Sequence, residues 1–297
     1  MLTRHSPSRG AGSPDIWGFY EEASGSIQYV CADPSTRKAA LIDVVLNYNP
    51  AEARTSTESA DEILAHVKRE GLTVQWILDT HPHADHMMAA AYLKEKLGVP
   101  MAIGEKVVEI AELWRGLYNL PDAFDPVRDF DVLWDDGASF AIGELDVRVM
   151  LSPGHTLGSI TYVVGDAAFV HDTLMYPDMG SSRADFPGGS SRVLWQSIQE
   201  ILSLPPQTRL FVGHDYGAKG RDDIRWEATV AEHRRDNIHV KDGSVESQFT
   251  QIRDARDATL ELPARILPAL QVNLRGGRLP PPESDGHRYL KIPVDRF

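Results

Sequence analysis

The chain has 297 residues, 42% hydrophobic and 25% charged, a balance that excludes disorder of the whole chain and the collagen-like and coiled-coil classes. A net charge of −13 opposes binding to nucleic acid or to anionic membranes. One cysteine, Cys31, excludes an internal disulfide, a Cys-based zinc finger and an iron–sulfur cluster. Residues 1–14 lack the apolar stretch of a secretory signal and read as a flexible tail, though their basic, Ser-rich character also suits a short transit peptide. Ile27–Cys31 and Ala39–Val45 predict two strands joined by a polar turn. A helix follows, with Ser59-Ala60-Asp61-Glu62 as a capping box, Ile63, Leu64 and Val67 as its apolar stripe, and Gly71 as its stop. Val74–Leu78 is β-rich and leads into His81-Pro82-His83-Ala84-Asp85-His86, where a second helix begins and runs to Gly98. Glu105–Leu120 predicts a third helix, and residues 121–136 are polar and irregular.

Strands then become dense: Ser139–Ile142, Leu145–Leu151, Ile160–Val164 and Ala168–Val170. Ser191–Leu204 predicts a helix, Arg209–Val212 a last strand, and Asp222–Asn237 and Glu246–Leu260 two further helices. The proline-rich tail from Pro263 reads as extended segments. Strands interleaved with helices argue for α/β layering. With no composition break to mark a linker, one catalytic unit over residues 15–221 with a packed extension over 222–297 is expected.

Chemistry concentrates in the histidines. His81, His83 and His86 fall within six residues, with Asp85 among them. Side chains at i and i+2 of an extended segment point the same way, so His81 and His83 can converge on one metal ion. Asp85 and His86, on the first turn of the expected helix, can face a second. His155, Asp172 and His214 each follow a strand-like run, where loops on a rigid sheet gather ligands. Imidazole and carboxylate without thiolate suit zinc, iron or manganese. His5, His66, His233, His239 and His287 stand alone and read as ordinary structural residues. His171 adjoins Asp172, but neighbours on a strand face opposite ways, so it reads as structural or as outer support. Cys31, in an apolar strand, reads as a small core residue.

The pattern His81-x-His83-x-Asp85-His86, then His155 after Ser152-Pro153-Gly154, Asp172 in His171-Asp172-Thr173-Leu174, and His214 in Gly213-His214-Asp215-Tyr216, resembles the metallo-β-lactamase superfamily. Asp43 matches the aspartate of an early strand end in that family. The resemblance implies an α/β fold, an αββα sandwich with metal at one edge of two packed sheets. Within the superfamily the chain is most similar to the persulfide dioxygenase group, on Thr80-His81-x-His83-Ala84-Asp85-His86, Arg183-Ala184-Asp185-Phe186, His214-Asp215-Tyr216 and the segments around Ile266 and Tyr289. Two departures stand out: Pro82 in place of a Val or Cys, and His171 in place of the usual Gly.

Two chemistries are compatible with the ligands. The persulfide dioxygenase resemblance implies one Fe(II) on His81, His155 and Asp172, a facial triad with open positions. There glutathione persulfide and O₂ would give sulfite and glutathione, with His83, Asp85, His86 and His214 orienting the centre. Alternatively, all seven residues hold two zinc ions or a mixed pair, with Asp172 bridging, for hydrolysis of a glutathione thioester as in glyoxalase II. A nuclease is opposed by the charge, a true β-lactamase by Asp172 where Cys or Ser is usual, and a closed structural module by the number of loop-borne ligands. Arg183, Lys219 and Arg225 are the candidate anchors for substrate carboxylates, and Tyr176 and Tyr216 candidate donors to substrate. A homodimer is the default expectation, and cysteine usage without a signal favours the cytoplasm.

Overall fold

The computed structural model describes residues 1–296. Strands β1 (Leu2–Ser6), β2 (Asp15–Glu21), β3 (Ser26–Ala32) and β4 (Lys38–Ile42) run antiparallel in sequence. β5 (Val45–Asn49) and β6 (Arg54–Ser56) form a small hairpin. There follow α1 (Glu58–Arg69), β7 (Thr73–Leu78), the two-residue β8 (Met87–Met88), α2 (Ala90–Leu97), β9 (Met101–Gly104), α3 (Val107–Tyr118), the short α4 (Pro126–Asp129) and β10 (Val132–Trp134). The first sheet has the order β1-β2-β3-β4-β7-β9-β10, with β4, β7, β9 and β10 parallel. The second half supplies β11 (Ser139–Ile142), β12 (Leu145–Leu151), β13 (Ile160–Val164), β14 (Ala167–Phe169), α5 (Ser191–Ile201), β15 (Arg209–Phe211), β16 (Glu227–Thr229), α6 (Val230–Asp236), α7 (Glu246–Asp257) and α8 (Ile266–Asn273). Strands β11 to β16 form the second sheet in sequence order.

β3 is buried along its whole length because both its faces are covered. Ile27, Tyr29 and Cys31 point into the space between the sheets with Val149, Tyr162 and Phe169. Val30 and Ala32 point outward under the helices, among Ile63 of α1, Leu93 of α2 and Trp114 of α3. Leu194, Ile198 and Ile201 of α5 cover the second sheet. The result is the αββα sandwich. Among the described residues no helix is long and apolar enough to cross a membrane.

Several local expectations are corrected. Residues 1–14 are not a free tail: β1 pairs with β2, and the stretch folds over the fully buried Arg209. That guanidinium donates to Ser6 Oγ (2.8 Å), Ser13 Oγ (3.0 Å), the Pro14 carbonyl (3.0 Å) and Asp166 (2.8 Å). The capping box at Ser59 does not form, because Asn47 of β5 takes its place. Asn47 Oδ1 accepts from the Ser59 backbone N–H (2.9 Å) and its Nδ2 donates to Ser59 Oγ (2.9 Å). The second helix starts late, since Met87-Met88 pairs with β5 instead. Residues 222–237 hold a strand before their helix, and the tail contains α8. Pro268 does not prevent that helix, because it lies in the first turn where no N–H is needed.

Candidate metal centre

The candidate ligands, and Asp43 beside them, leave the carboxyl ends of five strands. Asp43 follows β4, His81 follows β7, His155 follows β12, Asp172 follows β14 and His214 follows β15. Gly154 lets the His155 loop pass against α5: a Cβ there would lie 2.3 Å from the Leu194 backbone. Residues 81–86 form a loop rather than a helix start, so Asp85 and His86 sit on that loop. Asn273 of α8 pins it, donating to the carbonyls of His83 (2.8 Å) and His86 (2.9 Å) and accepting from the Met88 N–H (2.8 Å).

The side chains meet at Asp172. Its Oδ2 lies 3.6 Å from His81 Nε2, 3.5 Å from His155 Nε2 and 3.3 Å from His214 Nε2. Ligands held about 2.1 Å from a shared ion stand roughly 3.0–3.4 Å apart, so this spacing is close to that of a coordination sphere. His81, His155 and Asp172 form one group of mutually close ligand atoms, and Asp85, Asp172 and His214 form another. His83 groups with Asp85 and His86.

Each imidazole is oriented by one nitrogen. His155 Nδ1 donates to the Arg183 carbonyl (2.8 Å), His214 Nδ1 lies 3.3 Å from the Gly25 carbonyl, and His81 Nδ1 lies 3.1 Å from Thr80 Oγ1. His83 Nε2 meets Asp43 Oδ1 at 2.9 Å, and His86 Nδ1 meets Asp85 Oδ2 at 2.8 Å. The opposite nitrogens of His81, His83 and His86 are buried with no hydrogen-bond partner. Buried polar atoms are seldom orphaned, and an imidazole with one nitrogen tied back and the other free is the usual state of a metal ligand. The residues therefore fit a divalent transition metal.

Electrostatics agree. Burial pushes Asp172 up, but His214 and His171 outweigh it and hold the carboxyl well below the usual range. Asp85 is likewise held down against burial by His214 and His86. Burial, with His83 beside it, holds His81 well below its ordinary value, and burial with His86 does the same for His83. Burial also lowers His155. His214 resists burial because Asp172 and Asp85 raise it to about 10. Ionised carboxylates beside the neutral imidazoles of His81, His83 and His155 are the donor set of a bound cation, whereas His214 would have to release its proton to join them.

A cavity of about 500 Å³ opens on this cluster, lined by Asp85, His155, Asp172, His214 and a partly apolar wall of Met175, Met179, Phe186, Ile252 and Leu260. Of the residues expected to contact substrate, Arg183 and Tyr216 line it. Tyr216 stacks on His214, with rings 5.5 Å apart. Arg183 is not a free cation: its guanidinium grips both oxygens of Asp185 (2.6 and 2.7 Å). Tyr176 and Arg225 face a separate depression bordered by Arg4 and Trp226, where Arg225 pairs with Asp223. Lys219 is exposed and lines neither.

Sequence reasoning missed the extension's share of this cavity. His239, Arg253 and Arg256 all line it. His239 Nδ1 accepts from the Ser181 N–H (3.1 Å). Arg253 is buried against Asp257 (2.6 Å), whereas Arg256 is exposed and has no carboxylate at ion-pair distance among the described residues. His171 lies against the cluster as well, with its ring centroid 5.0 Å from that of His81 and 4.6 Å from that of His83.

Residues 29–214 match the family model described as the metallo-beta-lactamase superfamily. The chain is 54% identical over 283 residues to a beta-lactamase hydrolase-like protein of Xylella fastidiosa, covering 95% of this chain and 65% of that relative's length. It is 42% identical to glyoxylase B2 of Dictyostelium discoideum (93% of this chain, 96% of the relative), and 29% identical to human persulfide dioxygenase ETHE1 (74% and 76%). Among solved structures, ETHE1 from Myxococcus xanthus aligns with a TM-score of 0.70 at 28% identity, covering 94% of this chain and all of that one. The matched stretch begins within β3 and ends on His214, so it takes in every ligand described above: the chain belongs to the metallo-beta-lactamase superfamily.

Proposed function

We propose that the protein is a mononuclear iron persulfide dioxygenase that oxidises glutathione persulfide to sulfite and glutathione. The observation that carries this reading is the composition of one ligand group. Although His81 also groups with His83 and His171, His81, His155 and Asp172 form one group of mutually close ligand atoms, two imidazoles and one carboxylate. That is the ligand set of non-heme iron oxygenases. Likeness to the Myxococcus ETHE1 structure over the whole of its length, and to a human relative named persulfide dioxygenase, supports it.

Ferrous iron, when bound, supplies open positions at which a persulfide sulfur and dioxygen can meet and exchange electrons. The chain's residues do the rest. Arg183 and Thr80 turn the Nε2 atoms of His155 and His81 inward, and Asp172 stays ionised. Met175, Met179 and Phe186 give the reacting sulfur a partly apolar wall. The reaction balances as RSSH + O₂ + H₂O → RSH + SO₃²⁻ + 2H⁺. Glutathione carries two carboxylates, and Arg256 is the cavity's cation without an ion-pair partner among the described residues, so we assign it in place of Arg183 as their anchor.

A dinuclear hydrolase of a glutathione thioester is the second reading, favoured by the group Asp85, Asp172 and His214, which shares Asp172 with the first. Relatives named hydrolase-like and glyoxylase accord with it. There two zinc ions or a mixed pair would supply a water of lowered pKa. Anaerobic purification, metal counting and O₂ uptake with glutathione persulfide decide between them. One iron per chain with brisk uptake is expected. Two zinc ions, no uptake and cleavage of a glutathione thioester would replace the dioxygenase by the hydrolase.

A further inference from the structure

His171 stands where the family resemblance implies a glycine. Its backbone is left-handed, with φ of +43°, a conformation that a side chain other than glycine's seldom adopts. Its ring is buried, and its two nitrogens face two carboxylates. Nε2 lies 3.0 Å from Asp43 Oδ2 and Nδ1 lies 3.4 Å from Asp172 Oδ1. These are contacts of ion-pair length whose angles fall short of formed hydrogen bonds.

Asp43 is itself fixed. Its carboxylate accepts from the Thr80 N–H (2.8 Å) and Oγ1 (3.0 Å) and meets His83 Nε2. Gly213 closes the other side: a Cβ there would lie 2.5 Å from the His171 ring and 2.7 Å from Asp172 Oδ1. So Asp172 has two distinct oxygens. Oδ1 faces His171, while Oδ2 faces His81, His155 and His214.

We propose that His171 is a positioning residue for the metal: it braces Asp172 Oδ1 against Asp43 so that Oδ2 is presented to the ion. The proposal rests on Asp172 being a metal ligand, which both readings of the function share, and is independent of the choice between them. Partners behind a ligand typically set metal affinity by 10–100-fold.

The test uses the full chain, stripped of metal and titrated anaerobically with Co(II) against a competing chelator. His171→Gly accepts the left-handed backbone and removes the ring. His171→Leu keeps most of the volume and removes the nitrogens. His171→Asn keeps an N–H donor and tolerates the backbone. Both His171→Gly and His171→Leu should lose about 10–100-fold in Co(II) affinity and change the cobalt absorption spectrum, with part of the affinity returning in His171→Asn. The melting temperature of the metal-free glycine variant should hold or rise. If His171→Leu folds and binds Co(II) with wild-type affinity and spectrum, the ring is only a space filler and the proposal falls. Asp172→Ala is the control: its tight binding of Co(II) would overturn the metal-centre reading itself, whereas its failure to bind beside a normal His171→Gly would overturn the bracing role alone.

Discussion

His155 shows how a single imidazole is prepared. Its Nδ1 is tied to the Arg183 carbonyl, and its Nε2 is left at the point it shares with His81 and Asp172. His155→Ala should therefore release metal under either reading, as measured by metal per chain. His214→Ala separates them: one equivalent of iron should remain in the mononuclear enzyme, whereas in a dinuclear one the second site should empty. Arg256→Ala removes an exposed charge that touches no ligand. It should raise KM for glutathione persulfide about tenfold, in keeping with a charge-assisted bond, and change kcat little. These candidate ligands were legible in the sequence because each one follows a strand run or sits in the His81–His86 cluster. The place of His171 was not, because period-two alternation sends neighbours to opposite faces. The chain leaves β14 for a 3₁₀ turn at His171–Thr173, and alternation no longer applies there. Arg183 was found in the right loop, but its sequence position could not show that Asp185 occupies its guanidinium.

Among elements, the strands of the second sheet were the most legible. β11, β12 and β13 have the bounds expected, since Val147 and Val149 face in while Asp146 and Arg148 face out. α8 was hidden by prolines, and the late start of α2 by a distant partner, Asn273. α7 is fastened to the cavity rim by Arg253, which pairs with Asp257 and donates to the Ser181 carbonyl (3.1 Å), while Asp257 accepts from the Ala184 N–H (2.8 Å). Arg253→Leu leaves the buried Asp257 carboxylate without its cation and should destabilise the fold by about 3 kcal/mol, read by urea denaturation. The β3–β4 turn makes a pH prediction. Asp33 is partly desolvated, yet bonds from Thr36, Ser35 and the Glu144 N–H outweigh that and lower its carboxyl to about 2. The unfolded carboxylate protonates in the ordinary range, so the stability Asp33 lends is present above that range and lost as pH falls through about 2. Asp33→Asn should lose stability at pH 6 and much less at pH 2, measured as the gap between the two denaturation curves.

At the scale of the whole molecule, the first 14 residues are structural. Their removal would uncover the β2 edge and strip the cover from Arg209, which would keep Asp166 but lose Ser6, Ser13 and Pro14. A chain lacking residues 1–14 should melt at a lower temperature and associate through the open strand, seen by thermal melting and light scattering. The sandwich also settles the fate of the lone thiol. Cys31 lies between the sheets with no exposed surface, and burial raises its pKa. Sulfur exchange needs an accessible thiolate, so under the proposed function a persulfide arriving in the cavity meets no thiol of this chain that could intercept its outer atom or become trapped as a mixed disulfide. An aromatic disulfide dye should accordingly register no reactive group on the native protein and one after denaturation, and sulfane sulfur should stay with its small-molecule carrier throughout turnover.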